Sequence, residues 1–227
     1  MRNPNPLLLA IDTSTHWVSV ALYDGANILC EHTWLSRDYH TVELAPTVQE
    51  ALQRLGMKAG QLTCVAVAIG PGSFTGLRVG IALAKGLVIA AHIPLVAVPT
   101  LDILAAAQPA LNLPMIATLR AGRGRLALRR YEFQNGTWQA QGDYRILTVE
   151  QLVESIDHPT YLCGEFDAAE RQTLVAHPNV RLALPTLCLR RAGKLAEIGW
   201  DLWRAGKVTD PETLSPIYLH IHEPIPT

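Results

Sequence analysis

A continuous apolar run, a glycine-rich stretch and a helical segment follow one another between residues 64 and 91. The run Cys64 to Ile69 shows no polar alternation, which is typical of a strand buried on both faces of a sheet. The stretch AIGPGSFTGLRVG comes next, and the composition of Thr75 to Ala91 favours a helix. A strand covered on both faces needs helices on each side of its sheet, so this feature predicts an α/β fold.

The remaining patterns extend this prediction to two lobes. The first half is expected to hold strands at 6–12, 16–24, 28–34, 64–69 and 94–98, and helices at 44–55, 75–91 and 99–107. The second half is expected to hold strands at 115–119, 126–133, 137–147 and 160–163, and helices at 148–156, 167–176 and 189–205. We therefore predict domains at 1–108 and 109–227, each a mixed β-sheet with helices on its faces, and we expect a structural duplication.

The composition indicates a large core and a partner. Of the 227 residues, 49% are hydrophobic and 17% are charged, so much of the chain must lie in a core or against another protein. The formal net charge of -1 gives the protein no overall attraction for nucleic acid or an anionic membrane. The four cysteines stand singly, as expected of reduced thiols in the cytoplasm. Lys85, His92 and Pro94 interrupt the longest apolar tract, so no membrane span is expected.

Two loops are candidates for contact with phosphate groups. Asp12, Thr13, Ser14 and Thr15 follow the first strand, where a carboxylate could hold hydrated Mg²⁺ and hydroxyls could donate to phosphate oxygens. A turn that only reverses the chain is the alternative. Residues 70–75 lie between a buried strand and a helix N-terminus, where backbone amides bind anions. They lack the Gly-Lys-Ser/Thr ending of a Walker loop, and a tight connection without a ligand fits them equally well.

Three small residues, Gly76, Gly80 and Ala84, recur at intervals of four along the predicted helix 75–91. Glycine inside a helix costs up to about 1 kcal/mol relative to alanine, so a close neighbour is expected on this face. That neighbour is either another element of the same chain or a helix of a partner, and the pattern alone does not decide between them.

Other polar clusters have ordinary explanations. His40 with Glu43 and His220 with His222 are pairs, whereas a catalytic zinc site needs three protein ligands, so capping and surface roles are expected. A basic cluster in the second half suits contact with RNA, although arginines on a solvated hairpin give the same pattern. Its members are Arg120, Arg123, Arg125, Arg129 and Arg130.

Four segments of the chain resemble the TsaB family, also called YeaZ. They are LLLAIDTSTHWVSVALYDG, the H-x-x-E-L-x-P segment His40 to Pro46, AIGPGSFTGLRVGIALAKGL and IPLVAVPTLDILA. The resemblance is dense over about the first 105 residues and then reduces to the order of elements and to Pro216-Ile217-Tyr218-Leu219. Two positions depart from the family pattern: His220 stands where the family has arginine, and Arg120 stands where it commonly has aspartate.

The resemblance implies a two-lobed fold of the actin, Hsp70 and sugar-kinase (ASKHA) superfamily and a part in making threonylcarbamoyladenosine (t6A) at position 37 of tRNA. In that pathway the paralogue TsaD transfers the threonylcarbamoyl group, and TsaE is an ATPase. TsaD holds its metal through H-x-x-x-H, whereas Leu44 stands here in place of the second histidine. The chain is therefore expected to be non-catalytic, without a metal or required cofactor, and ATP or ADP is expected only at or near the interface of the complex. Its phosphate-facing residues, read as an ancestral site, are Asp12, Thr13, Ser14, Gly70, Gly72, Ser73 and Thr75.

The resemblance also implies partners. Helices of the first lobe contact TsaD in the family and also form a homodimer, so we expect a cytoplasmic scaffolding and activating subunit that binds TsaD. TsaE would join the full complex, and tRNA would be contacted through it. The residues assigned to this interface are Leu44, Val48, Leu52, Gly76, Leu77, Gly80, Leu83, Ala84 and Leu87. Two other functions stay open: an ATP-dependent small-molecule phosphotransferase of the same superfamily, and a metalloprotease, which only an old family name suggests.

Overall fold

The computed structural model describes residues 6–37 and 39–219, so the predictions for His220 and His222 lie outside the described residues. The strands are β1 (Leu8–Asp12), β2 (Trp17–Tyr23), β3 (Ile28–Leu35), β4 (Cys64–Ala68), β5 (Leu95–Val98), β6 (Met115–Arg120), β7 (Leu126–Gln134), β8 (Thr137–Leu147), β9 (Thr160–Gly164) and β10 (Val180–Leu182). The helices are α1 (His40–Arg54), α2 (Phe74–Ala91), α3 (Thr100–Ala106), α4 (Val149–Glu154), α5 (Ala168–Ala176) and α6 (Ala192–Arg204).

The strands form two five-stranded sheets with the same topology. The first has the order β3-β2-β1-β4-β5 and the second β10-β9-β6-β7-β8. In each sheet the first three strands of its half pair antiparallel, and the other two extend the sheet in parallel from the first strand. Each parallel connection runs through a helix, as such connections require. The predicted α/β fold, the two mixed sheets and the duplication are confirmed, and the arrangement is that of the ASKHA superfamily.

The last helix of each half packs against the sheet of the other half. Helix α3, which follows the first sheet, contacts β6, β7, β8 and β9, whereas α6, which follows the second sheet, contacts the first. Leu195 and Ala196 of α6 share a core with Leu8 and Ala66. Each half therefore contributes a helix to the core of the other half, and burial of the two exchanged helices holds the sheets together. The boundary at residues 108 and 109 stays a prediction.

Two local predictions need correction. The helix predicted from Leu189 begins at Ala192, because Arg191 has extended backbone and caps the helix. The short strand β10 was missed, since three residues give too brief a pattern to distinguish from a loop.

Helices α1 and α2 cover one face of the first sheet, and α6 covers the other. Leu44 and Val48 of α1 pack with Ile81 and Val88 of α2 over β1, β2 and β4. By length and composition alone α2 could cross a membrane. It contains Arg78 and Lys85, and its buried side lies on the sheet.

Candidate functional site

The two loops predicted to face phosphate groups lie against each other at one edge of the first sheet. The hairpin loop (residues 12–15) follows β1, and the glycine loop (residues 70–75) follows β4, the parallel neighbour of β1. The Ser73 amide donates to the Ser14 carbonyl oxygen at 2.6 Å. The Thr13 hydroxyl donates to the Gly76 carbonyl oxygen at 2.7 Å. Parallel pairing of β1 and β4 brings the two loops together, because their carboxyl ends meet at one edge.

Gly76 and Gly80 are the points of closest approach between α2 and the hairpin loop. A Cβ atom built at Gly76 would lie 2.2 Å from the Thr13 carbonyl oxygen, and one at Gly80 would lie 2.2 Å from Thr13 Oγ1. Neither distance is compatible with a side chain, so only glycine allows this packing. The close neighbour of the small-residue face therefore belongs to the same chain. The prediction that a partner helix approaches these two glycines is corrected.

The other residues assigned to a partner interface lie mainly in the core of the first lobe. Leu44, Val48 and Leu52 are 1%, 5% and 4% exposed, and Leu77 and Ala84 are fully buried. Leu83 and Leu87 are partly buried and pack against the same core. Helical periodicity selects the side of a helix that is buried, and here that side faces the sheet of this chain. Leu44, Val48, Leu52, Leu77 and Ala84 are therefore corrected from partner contacts to core contacts. The assignment of the partly buried Leu83 and Leu87 to a partner interface stays a prediction.

The backbone amides of Ser14, Gly70 and Ser73, in the two loops, have partners within the chain. The Gly70 amide donates to Thr100 Oγ1 at 3.0 Å, and the Ser14 amide donates to Asp12 Oδ1 at 2.9 Å. The Gly76 amide donates to Ser73 Oγ at 3.2 Å, which caps α2. Phosphate binding at such a turn depends on amides that point at the ligand without another acceptor. Gly72 is partly buried and Thr75 is exposed.

Asp12 is buried at the end of β1, and both of its carboxylate oxygens are engaged. Oδ1 accepts from the amide and the hydroxyl of Ser14. Oδ2 accepts from Nε of Arg190 at 3.0 Å, and both side chains are 1% exposed. The carboxylate that the sequence offered for hydrated Mg²⁺ therefore lies against an arginine of the same chain.

Arg190 also reaches the second lobe. Its Nη1 donates to Glu165 Oε1 at 2.7 Å, just after β9, and its Nη2 donates to Thr15 Oγ1 at 2.6 Å. The Thr15 hydroxyl in turn donates to Glu165 Oε1 at 2.8 Å. Asp12, Thr15, Glu165 and Arg190 together form what we call the interlobe cluster. Sequence analysis missed Arg190 because it fell inside the helix predicted over 189–205, and no local pattern marks its distant partners.

The charges of this cluster reinforce one another. Burial acts to raise the pKa of Glu165, but the positive charge and hydrogen bonds of Arg190 outweigh it and hold that pKa below its ordinary value. Burial likewise acts to lower the pKa of Arg190, yet the carboxylates of Asp12 and Glu165 raise it above the ordinary value. The carboxylate of Glu165 and the guanidinium of Arg190 therefore both favour their charged forms.

His40, the first residue of α1, is buried and does not lie in a metal site. Its Nε2 is 3.0 Å from the Thr15 carbonyl oxygen, so the predicted capping or surface role is replaced by a contact with the hairpin loop. Leu44, one helical turn later, lies in the core. Within residues 6–37 and 39–219 no group of three or more His, Cys, Asp or Glu side chains is placed to hold a metal ion.

The arginines of the predicted basic cluster lie in different surroundings. Arg120 ends β6 as Asp12 ends β1, and its Nη1 donates to Glu170 Oε1 at 2.6 Å. Arg129 Nη1 lies 3.7 Å from Asp102 Oδ1, and its guanidinium stands over the ring of Tyr144. Arg123 and Arg130 are exposed. Arg120 and Arg129 therefore contact acidic or aromatic neighbours within the chain. Contact of the cluster with tRNA stays a prediction.

An exposed apolar surface lies on the outer sides of α1 and α2. We call it the outer face and define it by residues that are 36 to 65% exposed: Tyr39, Val42, Phe74, Ile89 and Tyr218. Tyr218 lies on Phe74 with ring centroids 5.1 Å apart, and the Arg78 guanidinium stands 4.2 Å from the Phe74 ring centroid. Sequence analysis missed this surface because it followed the buried side of the same helices.

Comparison with known proteins gives concordant results. The family model described as "TsaD: tRNA N6-adenosine threonylcarbamoyltransferase" matches residues 34–180. The chain is 29% identical to the tRNA threonylcarbamoyladenosine biosynthesis protein TsaB of Escherichia coli (strain K12), over 93% of this chain and 94% of that protein. It is 28% identical to the protein of the same name from Bacillus subtilis (strain 168), over 95% of each chain. The crystal structure titled "YeaZ from Pseudomonas aeruginosa" superposes with a TM-score of 0.75 at 26% identity, covering 94% of this chain and 100% of that chain.

Proposed function

We propose, from the premise that this chain belongs to the TsaB branch of the tRNA threonylcarbamoyltransferase family and takes part in t6A biosynthesis, that it is a non-catalytic subunit that binds and activates TsaD. The family supplies the pathway. The division of labour within that pathway, in which TsaD performs the transfer and this chain supports it, is the proposal.

The outer face is the observation that carries the partner proposal. Its five apolar residues include Tyr39 at 61% exposure, which directly precedes α1, and Val42 at 65% exposure in the first turn of α1. Phe74 and Ile89 stand near the two ends of α2, with Arg78 and Ala82 on the same side between them. Exposed aromatic and aliphatic side chains on one side of a helix, with an arginine among them, are typical of a protein interface. A second copy of this chain is the other partner that the same face would accept.

The interior of the cleft supports the non-catalytic part of the proposal. The amides of Ser14, Gly70 and Ser73 are bonded within the chain, and Arg190 engages Asp12. A phosphoryl-transfer site needs free donors for the phosphates and a carboxylate free to hold the metal. These three amides and the carboxylate of Asp12, which such chemistry would use, are committed here to internal contacts.

The experiment is reconstitution of t6A formation with purified TsaD, TsaE, tRNA and the remaining substrates, with and without this chain. We expect product to rise severalfold when the chain is added, with saturation near one copy per TsaD. The Thr75→Ala variant should support the same rate of t6A formation. Thr75 is exposed, and the substitution removes a hydroxyl that a phosphate site would need. Equal product without the chain would contradict the activating role, and a large loss with Thr75→Ala would contradict the non-catalytic one.

A further inference from the structure

Arg190 connects the two halves of the chain at its interior. Its side chain is 1% exposed and extends from the residues just before α6 into the space between the sheets. Each nitrogen of the guanidinium donates a hydrogen bond of 2.6 to 3.0 Å, to Asp12, Glu165 and Thr15. Two of these acceptors belong to the hairpin loop of the first lobe and one follows β9 of the second lobe. A single side chain therefore joins both lobes.

The two carboxylates of the interlobe cluster require a cation between them. Asp12 is 1% and Glu165 is 15% exposed at the side chain, so water screens their mutual repulsion poorly. Buried charges are tolerated where they are paired and fully hydrogen-bonded. The planar guanidinium satisfies both conditions, because it presents several donors in a fixed geometry.

A nucleotide with its metal ion, which the superfamily implies for the cleft between the lobes, does not fit these residues. Asp12 Oδ2 faces the guanidinium of Arg190, and Asp12 Oδ1 is bonded to Ser14. The nearby Gly70 and Ser73 amides already have acceptors. A metal ion at Asp12 would have to displace Arg190, which would leave a buried guanidinium without its main partner.

We propose that Arg190 is a built-in cation that takes the position of a metal ion between the lobes and holds them closed without any ligand. The role of this chain toward TsaD is not needed for this inference. The cluster also contacts the start of α1, because the Thr15 carbonyl oxygen lies 3.0 Å from His40 Nε2. The arrangement of the lobes and the position of α1 are thus fixed by the same internal ion.

Arg190→Met tests the proposal, since methionine fills part of the space without a charge. We expect a lower urea midpoint and faster amide exchange at both residues 12–16 and residues 164–167. Millimolar Mg²⁺ should raise the midpoint of Arg190→Met, whose two carboxylates have lost their cation, and should leave the wild-type midpoint unchanged. Adding Asp12→Asn and Glu165→Gln to Arg190→Met should recover much of the lost midpoint and abolish the response to Mg²⁺.

Arg191→Met is the matched control. Arg191 is the next residue, its side chain is 64% exposed, and it pairs with Glu31, whose side chain is 12% exposed. Because this pair lies outside the interlobe cluster, the loss of Arg191 should change neither the exchange at 164–167 nor the response to Mg²⁺. If Arg190→Met does not fold, folding of the triple variant supports the proposal, and failure of both overturns it. A wild-type midpoint that rises with Mg²⁺, or exchange that changes only around residue 190, would also overturn it.

Discussion

The cleft between the lobes and the outer face of the first lobe differ in how far their side chains are engaged within the chain. In the cleft, Asp12, Glu165 and Arg190 satisfy one another, and the amides of Ser14, Gly70 and Ser73 are bonded within the chain. On the outer face, Val42 and Ile89 are more than half exposed. Internal satisfaction lowers the capacity of a site for ligands, whereas exposed apolar area raises the capacity of a surface for partners. The contrast supports our proposal that the protein keeps the frame of a nucleotide-binding fold and binds its partner through the outer face.

The largest expected loss of stability comes from removing the Asp12 carboxylate from the interlobe cluster. Asp12→Ala leaves Arg190 buried without its main partner, and breaking a buried ion pair in this way costs about 3 to 5 kcal/mol. Urea denaturation followed by circular dichroism measures the loss. Glu50→Ala is the control, because Glu50 pairs with Arg54 at the surface and both side chains are more than half exposed. The urea midpoint of Glu50→Ala should barely differ from that of the wild type. Similar midpoints for the two variants would contradict the contrast between interior and surface.

A smaller effect is expected at the contact between α2 and the hairpin loop. Gly80→Ala places a Cβ atom 2.2 Å from Thr13 Oγ1, so the loop must move, at a cost of about 1 to 3 kcal/mol. Gly86→Ala in the same helix has no atom within 4 Å of the new Cβ and should instead stabilise the chain by up to about 1 kcal/mol. Thermal unfolding compares the two. If Gly80→Ala unfolds at the wild-type temperature but no longer binds a partner, the small-residue face of α2 is an interface after all.

The next effect is a dependence of the free energy of unfolding on pH. The pKa of Glu165 is lowered in the folded chain, because Arg190 outweighs burial. Such a carboxylate stabilises the fold fully above its unfolded pKa of about 4.3 and loses that contribution as the pH falls through its folded pKa. The free energy of unfolding should therefore fall below about pH 4.3 more steeply in the wild type than in Glu165→Gln. Parallel pH curves for the two proteins would show that Glu165 is not coupled to Arg190.

Much of the fold could be predicted from the sequence, because its elements are marked locally. The run Cys64 to Ile69 identifies a buried strand within a few residues. The pair Asn135-Gly136 is a local signal of a hairpin turn, and it joins β7 to β8. Thr148 and Gln151 have the spacing of a capping box, and they form one at the start of α4. The exchange of α3 and α6 between the sheets is not marked in this way, since it depends on which of two apolar surfaces a helix meets.

The site was less predictable, for a physical reason. The hairpin and glycine loops were identified because glycine, aspartate and hydroxyl residues are local signals of an anion site. Arg190 lies 178 positions from Asp12, and only the folded chain brings them together. The interface residues were misplaced because periodicity shows that one side of a helix is buried without showing what buries it. For Leu44, Gly76 and Gly80, the covering element belongs to the same chain.

The most direct test of the central claim is the affinity of TsaD for the double variant Val42→Asp, Ile89→Asp, measured by calorimetry beside Val175→Asp. Val175 is 66% exposed on α5 of the second lobe and serves as the matched control. All three side chains are exposed, so each change should alter the free energy of unfolding by less than about 0.5 kcal/mol. We predict that the double variant binds at least about 100-fold more weakly, the scale of losing interface anchors, and no longer stimulates t6A formation, while Val175→Asp acts as wild type. Full affinity and stimulation by a folded double variant would contradict the account.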